Sequence, residues 1–131
     1  MPDVRQVEAG AMGRVAYARV APNEDLVLSI EKLCAAAGFR QAFVRGALGS
    51  LVDACFVAPD GGTRLVRGPA VEIVSLAGEV RTQADGSLRA AITGIVADTD
   101  GHVHGGPFVA GANPVCVTFE VTLEEWLPAA A

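Results

Sequence analysis

Both histidines of this 131-residue chain lie in one short stretch, DTDGHVHGGPFVAG, at residues 98–111. His102 and His104 are two residues apart, and side chains at that spacing leave the same face of a β-strand. Two imidazoles placed in this way could bind one metal ion, with Asp98 or Asp100 adding a carboxylate. Two histidines at this spacing do not specify a zinc site by themselves, and they follow an Asp-Gly turn signal. We therefore expect a solvated hairpin turn here, with metal binding as the alternative.

A histidine could also act as a general base, because its ordinary pKa lies near neutrality. An enzyme needs in addition a nucleophile, oriented partners and a pocket, and the sequence identifies none of these. The arginine in AFVRGALGS, Arg45, lies in an apolar segment and must pair, reach solvent or hold an anion. Pairing with Glu72 or Glu120 is the commonest outcome, and binding of a carboxylate or phosphate is the alternative. Glu72 could satisfy loop or inter-subunit hydrogen bonds, and Asn113 begins an Asn-Pro turn signal.

The three cysteines, Cys34, Cys55 and Cys116, are far apart and include no CxxC pair. This spacing argues against a zinc cluster and against a thioredoxin-like redox site. Each cysteine lies among apolar neighbours. We therefore expect buried free thiols that pack as small hydrophobic side chains.

The composition predicts self-association. Hydrophobic residues make up 51% of the chain, and the mean hydropathy is +0.39. A small domain has too much surface to hide all of this apolar material, and exposed apolar patches usually mark contacts with other chains. A long stretch without lysine, arginine, aspartate or glutamate, residues 102–119, carries glycines and prolines and does not suit a spanning helix of about 20 apolar residues. The N-terminus lacks the apolar region of a secretion signal, so we expect a cytoplasmic protein without a membrane partner.

The charge distribution argues against duplex DNA as a partner. The formal net charge is −5, and nine of the ten basic residues are arginines scattered without a basic run. Binding of duplex DNA draws most of its affinity from the neutralisation of phosphates by clustered lysine and arginine.

One helix is predicted before residue 38. Asn23 can act as the N-cap, and Glu24 and Asp25 occupy the first turn. Apolar residues then recur at helical spacing until Gly38, which ends the helix.

Nearly all of the remaining chain predicts β-strands. Three turn signals, PDGG at 59–62 and Asp-Gly at 85–86 and 100–101, lie between runs rich in β-forming residues. The last strand, PVCVTFEVTLEE, is predicted to place Val115, Val117, Phe119 and Val121 on one face. We predict an α+β fold, mainly an antiparallel β-sheet with one or two flanking helices, in a single domain over residues 1–131.

Four segments occur in a characteristic order: APNEDLVLSIEKLCAAAGFRQAFVRGALGSLVDA, GPAVEIVSLAGEV, DTDGHVHGG and VTFEVTLEE. In this order, over about residues 14–125, the chain resembles the plants-and-prokaryotes conserved (PPC) domain in its stand-alone prokaryotic form. The resemblance implies an antiparallel sheet flanked by helices and a homotrimer. The implied homotrimer agrees with the self-association expected from the composition.

The resemblance also implies a metal site from which this chain departs. Prokaryotic relatives often carry a His-x-His pair on the strand before the Asp-Gly turn and a third histidine after the Gly-Gly pair. Here the corresponding residues are Ala91, Thr93 and Pro107. We therefore expect no metal cofactor, because the family-type zinc site is lost.

Members of the family are often described as DNA-binding, because the plant domain is fused to AT-hook segments with an Arg-Gly-Arg-Pro core. That core is absent here. We predict a homotrimeric module that binds a small anionic molecule or a protein partner rather than an enzyme. In the predicted cleft between subunits, Arg45 holds the acidic group, and His102, His104 or Asn113 lies nearby. A DNA-associated protein, as the family label says, and a metalloprotein or small enzyme using His102 and His104 are the alternatives.

Overall fold

The computed structural model describes residues 4–130, and its main feature is one six-stranded antiparallel sheet. The strands are β1 Gly10–Val20, β2 Gln41–Val57, β3 Thr63–Thr82, β4 Leu88–Ala97, β5 Val103–Pro107 and β6 Val115–Pro128, in the spatial order β1-β6-β2-β3-β4-β5. Within the described residues one helix, α1 Leu26–Ala37, packs against the sheet. The predicted α+β class is confirmed. The domain predicted over 1–131 includes residues 1–3 and 131, which lie outside the described residues.

Helix α1 begins at a different cap from the predicted one. Asp25 is the N-cap, and its carboxylate accepts a backbone N–H of the first turn at 2.9 Å, whereas Asn23 lies before the helix with a φ of 72°. Asp25 also accepts the N–H groups of Gly111 and Asn113, at 3.0 and 2.8 Å, and so connects the helix to the loop before β6. The predicted end is confirmed, because Gly38 adopts the left-handed conformation. No helix in residues 4–130 is long and apolar enough to cross a membrane.

The three predicted hairpin turns are confirmed. In each turn a glycine with positive φ donates its N–H to the carbonyl three residues earlier, and an aspartate side chain accepts an N–H two residues further along. The glycines are Gly61, Gly86 and Gly101, and the aspartates are Asp60, Asp85 and Asp98. The local sequence therefore determined where the sheet reverses direction.

The long strands are irregular in a way that the alternating pattern did not predict. The segments TRLVRG and VEIVSLAGEV are parts of one strand, β3. The register between β2 and β6 shifts between Gly49 and Leu51, where a longer stretch of β6 faces a shorter stretch of β2. Val117 lies in this bulge and is 70% exposed, while Val115 and Phe119 are buried. The prediction that Val117 shares one face of the last strand with Val115, Phe119 and Val121 is therefore wrong.

The core fills the space between α1 and the inner face of the sheet. Its largest fully buried side chains include Phe56, Phe119, Leu26, Ile30, Leu51 and Leu123. The sheet curls until the segment after β5 meets β2, where the rings of Phe56 and Phe108 lie 4.7 Å apart. Cys34 and Cys55 are buried free thiols, as predicted. The same prediction is wrong for Cys116, which is only half-buried beside the bulge of β6.

The side of the sheet that faces away from this core carries a group of exposed apolar residues. Ala16 and Ala47 pack against the core, so their strand neighbours point away from it. We call the surface formed by Val15, Tyr17, Leu48 and Val117, all of them exposed, the outer face. These four residues account for part of the exposed apolar surface that the composition predicts.

Candidate functional site

The two histidines and Asp98 form a compact cluster at residues 98–104, the histidine turn, between β4 and β5. Asp98 Oδ2 lies 2.9 Å from His104 Nε2 and 3.6 Å from His102 Nδ1, so both imidazoles reach one carboxylate oxygen. The other oxygen, Oδ1, accepts the backbone N–H groups of Asp100 and His102 at 3.0 and 2.9 Å. One potential ligand atom from each of Asp98, Asp100 and His102 lies within 4.8 Å of the other two. The fold thus brings together the residues that the sequence suggested as one group.

The histidine turn is acidic and open to solvent. The hydrogen bond from His104 lowers the pKa of the Asp98 carboxyl, and the backbone N–H groups of His102 and Asp100 lower it further. The His102 side chain is 75% exposed. Among the ion pairs of residues 4–130, none joins a lysine or arginine to Asp98 or Asp100. An ionised carboxylate beside two imidazoles is suited to accepting hydrogen bonds and to binding cations.

Arg45 pairs with a residue other than those predicted. Its Nε lies 3.2 Å from Oε1 of Glu124, which pairs in the β2–β6 register with Phe43, two residues before Arg45. The predicted partners, Glu72 and Glu120, are therefore wrong, and Glu120 instead accepts a hydrogen bond from the Tyr17 hydroxyl. The Arg45 side chain is 62% exposed, so part of its guanidinium faces solvent. Any anion that it holds lies beside the carboxylate of Glu124.

Glu72 lies at the end of the sheet that carries the histidine turn. It pairs with Ala97, the last residue of β4, and on its other side with Ser50 of β2. Arg45 lies further back along β2, about 16 Å from Ser50 in an extended strand. One chain therefore does not bring Arg45 into contact with Glu72 or with the histidine turn. A site that contains all of them requires more than one copy of the chain.

Asn113 is fully buried, and both of its amide groups have partners. Its Oδ1 accepts the N–H of Cys55, and its Nδ2 donates to the carbonyl of Val109, each at 2.7 Å. The amide thus connects β2 to the loop that follows β5. In this position Asn113 organises the backbone and has no amide group facing a ligand.

The three positions at which the resemblance implies histidines come together in space. Ala91, Thr93 and Pro107 line one cavity of about 570 Å³ that also touches α1, and Thr93 pairs with Pro107 across β4 and β5. Thr93 offers a hydroxyl, and the other two side chains offer no ligand atom. The residues present therefore do not fit a zinc ion held by three imidazoles.

Two charged residues of this cavity were missed by the sequence analysis. Arg89 precedes Ala91 by two positions on β4, and this alternation was the available signal. Glu31 reaches the cavity from α1, and its carboxylate accepts the N–H of Ala90 at 2.9 Å. No sequence pattern pointed to Glu31, because its place depends on how the helix packs against β4.

Comparison with known proteins gives a family match over most of the chain. The family model of the Plants and Prokaryotes Conserved (PCC) domain matches residues 7–127. None of the curated proteins matches the chain. The resemblance inferred from the sequence is confirmed by the family match.

Several solved structures share the fold. A plant- and prokaryote-conserved (PPC) protein of Pyrococcus horikoshii is 23% identical with a TM-score of 0.78, over 92% of this chain and 84% of that one. A metal-containing protein of Archaeoglobus fulgidus is 22% identical with a TM-score of 0.77, over 95% and 88% of the two chains. A protein of Bacteroides thetaiotaomicron, named for a proposed DNA-binding role, is 12% identical with a TM-score of 0.73, over 88% and 83%. At such identities the similarity shows the fold alone. The family match over residues 7–127 shows that this chain belongs to the Plants and Prokaryotes Conserved domain family.

Proposed function

We propose that the protein is a homotrimeric binding module whose copies join through the outer face and hold a small anionic ligand at the boundary between them. The observation that carries the proposal is the group of exposed apolar side chains on the outer face. Val15, Tyr17, Leu48 and Val117 are each more than half exposed in the single chain. Such a group of large apolar side chains usually marks a contact surface.

The energetics of the outer face favour association. Full burial of a large apolar side chain contributes about 1.5–3 kcal/mol. The charged groups beside these side chains already have partners, since Arg45 pairs with Glu124 and Arg19 lies 3.7 Å from Glu120. Burying a charge that is already paired costs less than burying an isolated one. A contact between copies can therefore cover the apolar residues without burying an unpaired charge.

The ligand part of the proposal rests on Arg45 and on the need for a second copy. The guanidinium of Arg45 has five N–H donors, and its Nε is the atom that contacts Glu124 most closely. The exposed donors can bind a carboxylate or phosphate in a bidentate manner. Glu72, His102 and His104 would come from a neighbouring copy, because one chain holds them away from Arg45. Asn113 is left out of this site because its amide is occupied.

The oligomeric state tests the assembly. Light scattering on a sizing column should give three times the 13.4 kDa of one chain at micromolar concentration. Val117→Asp should shift the protein to smaller species, because it places a charge on the outer face at its most exposed apolar side chain. Val7→Asp is the matched control, since Val7 is also exposed and lies in the segment before β1. A wild-type protein that stays a single chain at micromolar concentration contradicts the proposal.

A thermal-shift screen of small carboxylates and phosphates tests the ligand site. A binding compound should raise the wild-type melting temperature. Arg45→Ala should remove that rise without dissociating the trimer. Arg67→Ala, at another exposed arginine, is the control and should keep the rise. If Arg45→Ala responds to the compound as the wild type does, the assignment of Arg45 is wrong.

Duplex DNA is not part of the proposed function. The net charge of −5 and the scattered arginines give no phosphate-binding stripe in the sequence. An electrophoretic shift assay at low salt, where electrostatic binding is strongest, should show free DNA at micromolar protein. Salt-dependent retention of the DNA would favour the family label instead.

A further inference from the structure

The geometry of the histidine turn is close to that of a metal site. A zinc ion with ligand bonds of about 2.0–2.1 Å places two ligands of a tetrahedron roughly 3.3 Å apart. Asp98 Oδ2 and His102 Nδ1 are 3.6 Å apart, and the ligand atoms of Asp98, Asp100 and His102 are all within 4.8 Å of one another. Asp100 and His102 are exposed, so their side chains can rotate by the small distance that closes the set around an ion.

The turn does not need its imidazoles in order to fold. The hairpin turn between β3 and β4 has the same glycine geometry, and Asp85 there accepts the N–H of Ser87 at 2.9 Å. Asp98 lies two positions earlier in its turn than Asp85 does, and it accepts the N–H groups of Asp100 and His102 with its Oδ1 alone. Its Oδ2 is therefore left for the two imidazoles, which converge on it from His102 and His104. The backbone hydrogen bonds of the turn account for the glycine and for one oxygen of Asp98, but not for the two histidines.

The electrostatics of the turn favour a cation. Asp98 and Asp100 place two carboxylates close together, and no lysine or arginine of the described chain forms an ion pair with either. Neutral imidazoles supply nitrogen ligands without adding positive charge. Mixed nitrogen and oxygen ligands of this kind suit zinc and its first-row neighbours more than calcium, which prefers oxygen alone.

We propose that the histidine turn binds one divalent transition-metal ion of the zinc type, with Asp98, Asp100 and His102 as its ligands. His104 holds Asp98 Oδ2 from the other side and acts as a positioning residue. Three protein ligands leave a further position for water or for an anionic group. This site is separate from the cavity lined by Ala91, Thr93 and Pro107, and it does not depend on the oligomeric state.

Zinc titration of the untagged protein tests the proposal. Calorimetry with zinc chloride should show one saturable site per chain. Because both histidines of the chain lie in the turn, long-range ¹⁵N–¹H spectra of the imidazoles report on this site alone. The Nδ1 resonance of His102 should move on titration, with a smaller change at His104. This readout uses the wild-type protein and is not affected by a variant that fails to fold.

Variants then assign the roles. His102→Ala should remove saturable binding, and His104→Ala should weaken it by roughly 10-fold, as expected for loss of a supporting group. Asp85→Asn, in the turn without histidines, is the matched control and should bind zinc as the wild type does. The proposal is overturned if the wild type shows no saturable binding, if its imidazole resonances do not move, or if His102→Ala binds as tightly as the wild type.

Discussion

Replacing Asn113 by alanine separates a structural role from the ligand-binding role that the sequence suggested for this residue. The side chain is fully buried, and its amide bonds the N–H of Cys55 and the carbonyl of Val109, each at 2.7 Å. Alanine removes both bonds and leaves these two backbone groups without a side-chain partner. We expect a large loss of stability and no specific loss of ligand binding.

The size of the effect follows from the burial of the two backbone groups. A buried donor left without a partner costs about 1–3 kcal/mol, which applies to the N–H of Cys55. Val109 is half-buried, and its carbonyl also accepts the N–H of Ala112 at 3.2 Å, so the loss at this group contributes less. Together the two groups give a loss of about 2–4 kcal/mol in the free energy of unfolding. For a chain of this length that corresponds to a fall of roughly 10 °C in melting temperature.

Urea denaturation and calorimetry at one fixed chain concentration measure the change, because association makes the melting temperature depend on concentration. Ala110→Ser, at an exposed position of the same loop, is the control and should stay within about 0.5 kcal/mol of the wild type. If Asn113→Ala also stays within that range, the two hydrogen bonds do not stabilise the fold and the reasoning fails.

Three further predictions concern other parts of the fold. Gly49→Ala should destabilise the protein by at least about 2 kcal/mol in urea denaturation, because the new Cβ would lie 2.1 Å from the carbonyl oxygen of Thr118 and the φ of 142° disfavours side chains. The hydrogen bonds of Arg14 lower the pKa of the Glu125 carboxyl. The contribution of Glu125 to stability is therefore present above the ordinary carboxyl pKa and is lost as the pH falls through the lowered pKa. In Arg14→Met, the free energy of unfolding should fall less steeply as the solution is acidified. Burial raises the pKa of the Cys34 thiol to about 11, so a thiol reagent should label Cys34 in the unfolded protein and not in the folded one.

Each of these has a direct control or a contrary result. Gly61→Ala places its Cβ in open space, so it should cost less than Gly49→Ala, and equal costs would contradict the clash. If Arg14→Met loses stability with falling pH as the wild type does, the pair of Arg14 with Glu125 does not cause that loss. Peptide mapping should find Cys116, which is half-buried, labelled before Cys34, and the reverse order would contradict the burial.

Local features of the fold were predictable because they depend on neighbouring residues. The glycines at 61, 86 and 101 adopt positive φ in their turns, and Gly38 ends the helix in the same way. Each of these positions uses a backbone conformation that glycine reaches without strain. The α+β class follows from one helical pattern among many strand patterns. The histidine turn was also predictable as a group, since Asp98 and the two histidines are close in the sequence.

The remaining features depended on pairing between distant segments. Arg45 pairs with Glu124 rather than with a predicted glutamate, and Val117 turns outward at a bulge that its own alternation does not reveal. Asn113 carries an ordinary turn signal and yet is buried against β2. The sequence by itself determined the turns, the helix and the strand-rich class, because local backbone preferences decide these. The tertiary structure decided which side chains meet and which are exposed, because these depend on the register between strands far apart in the chain.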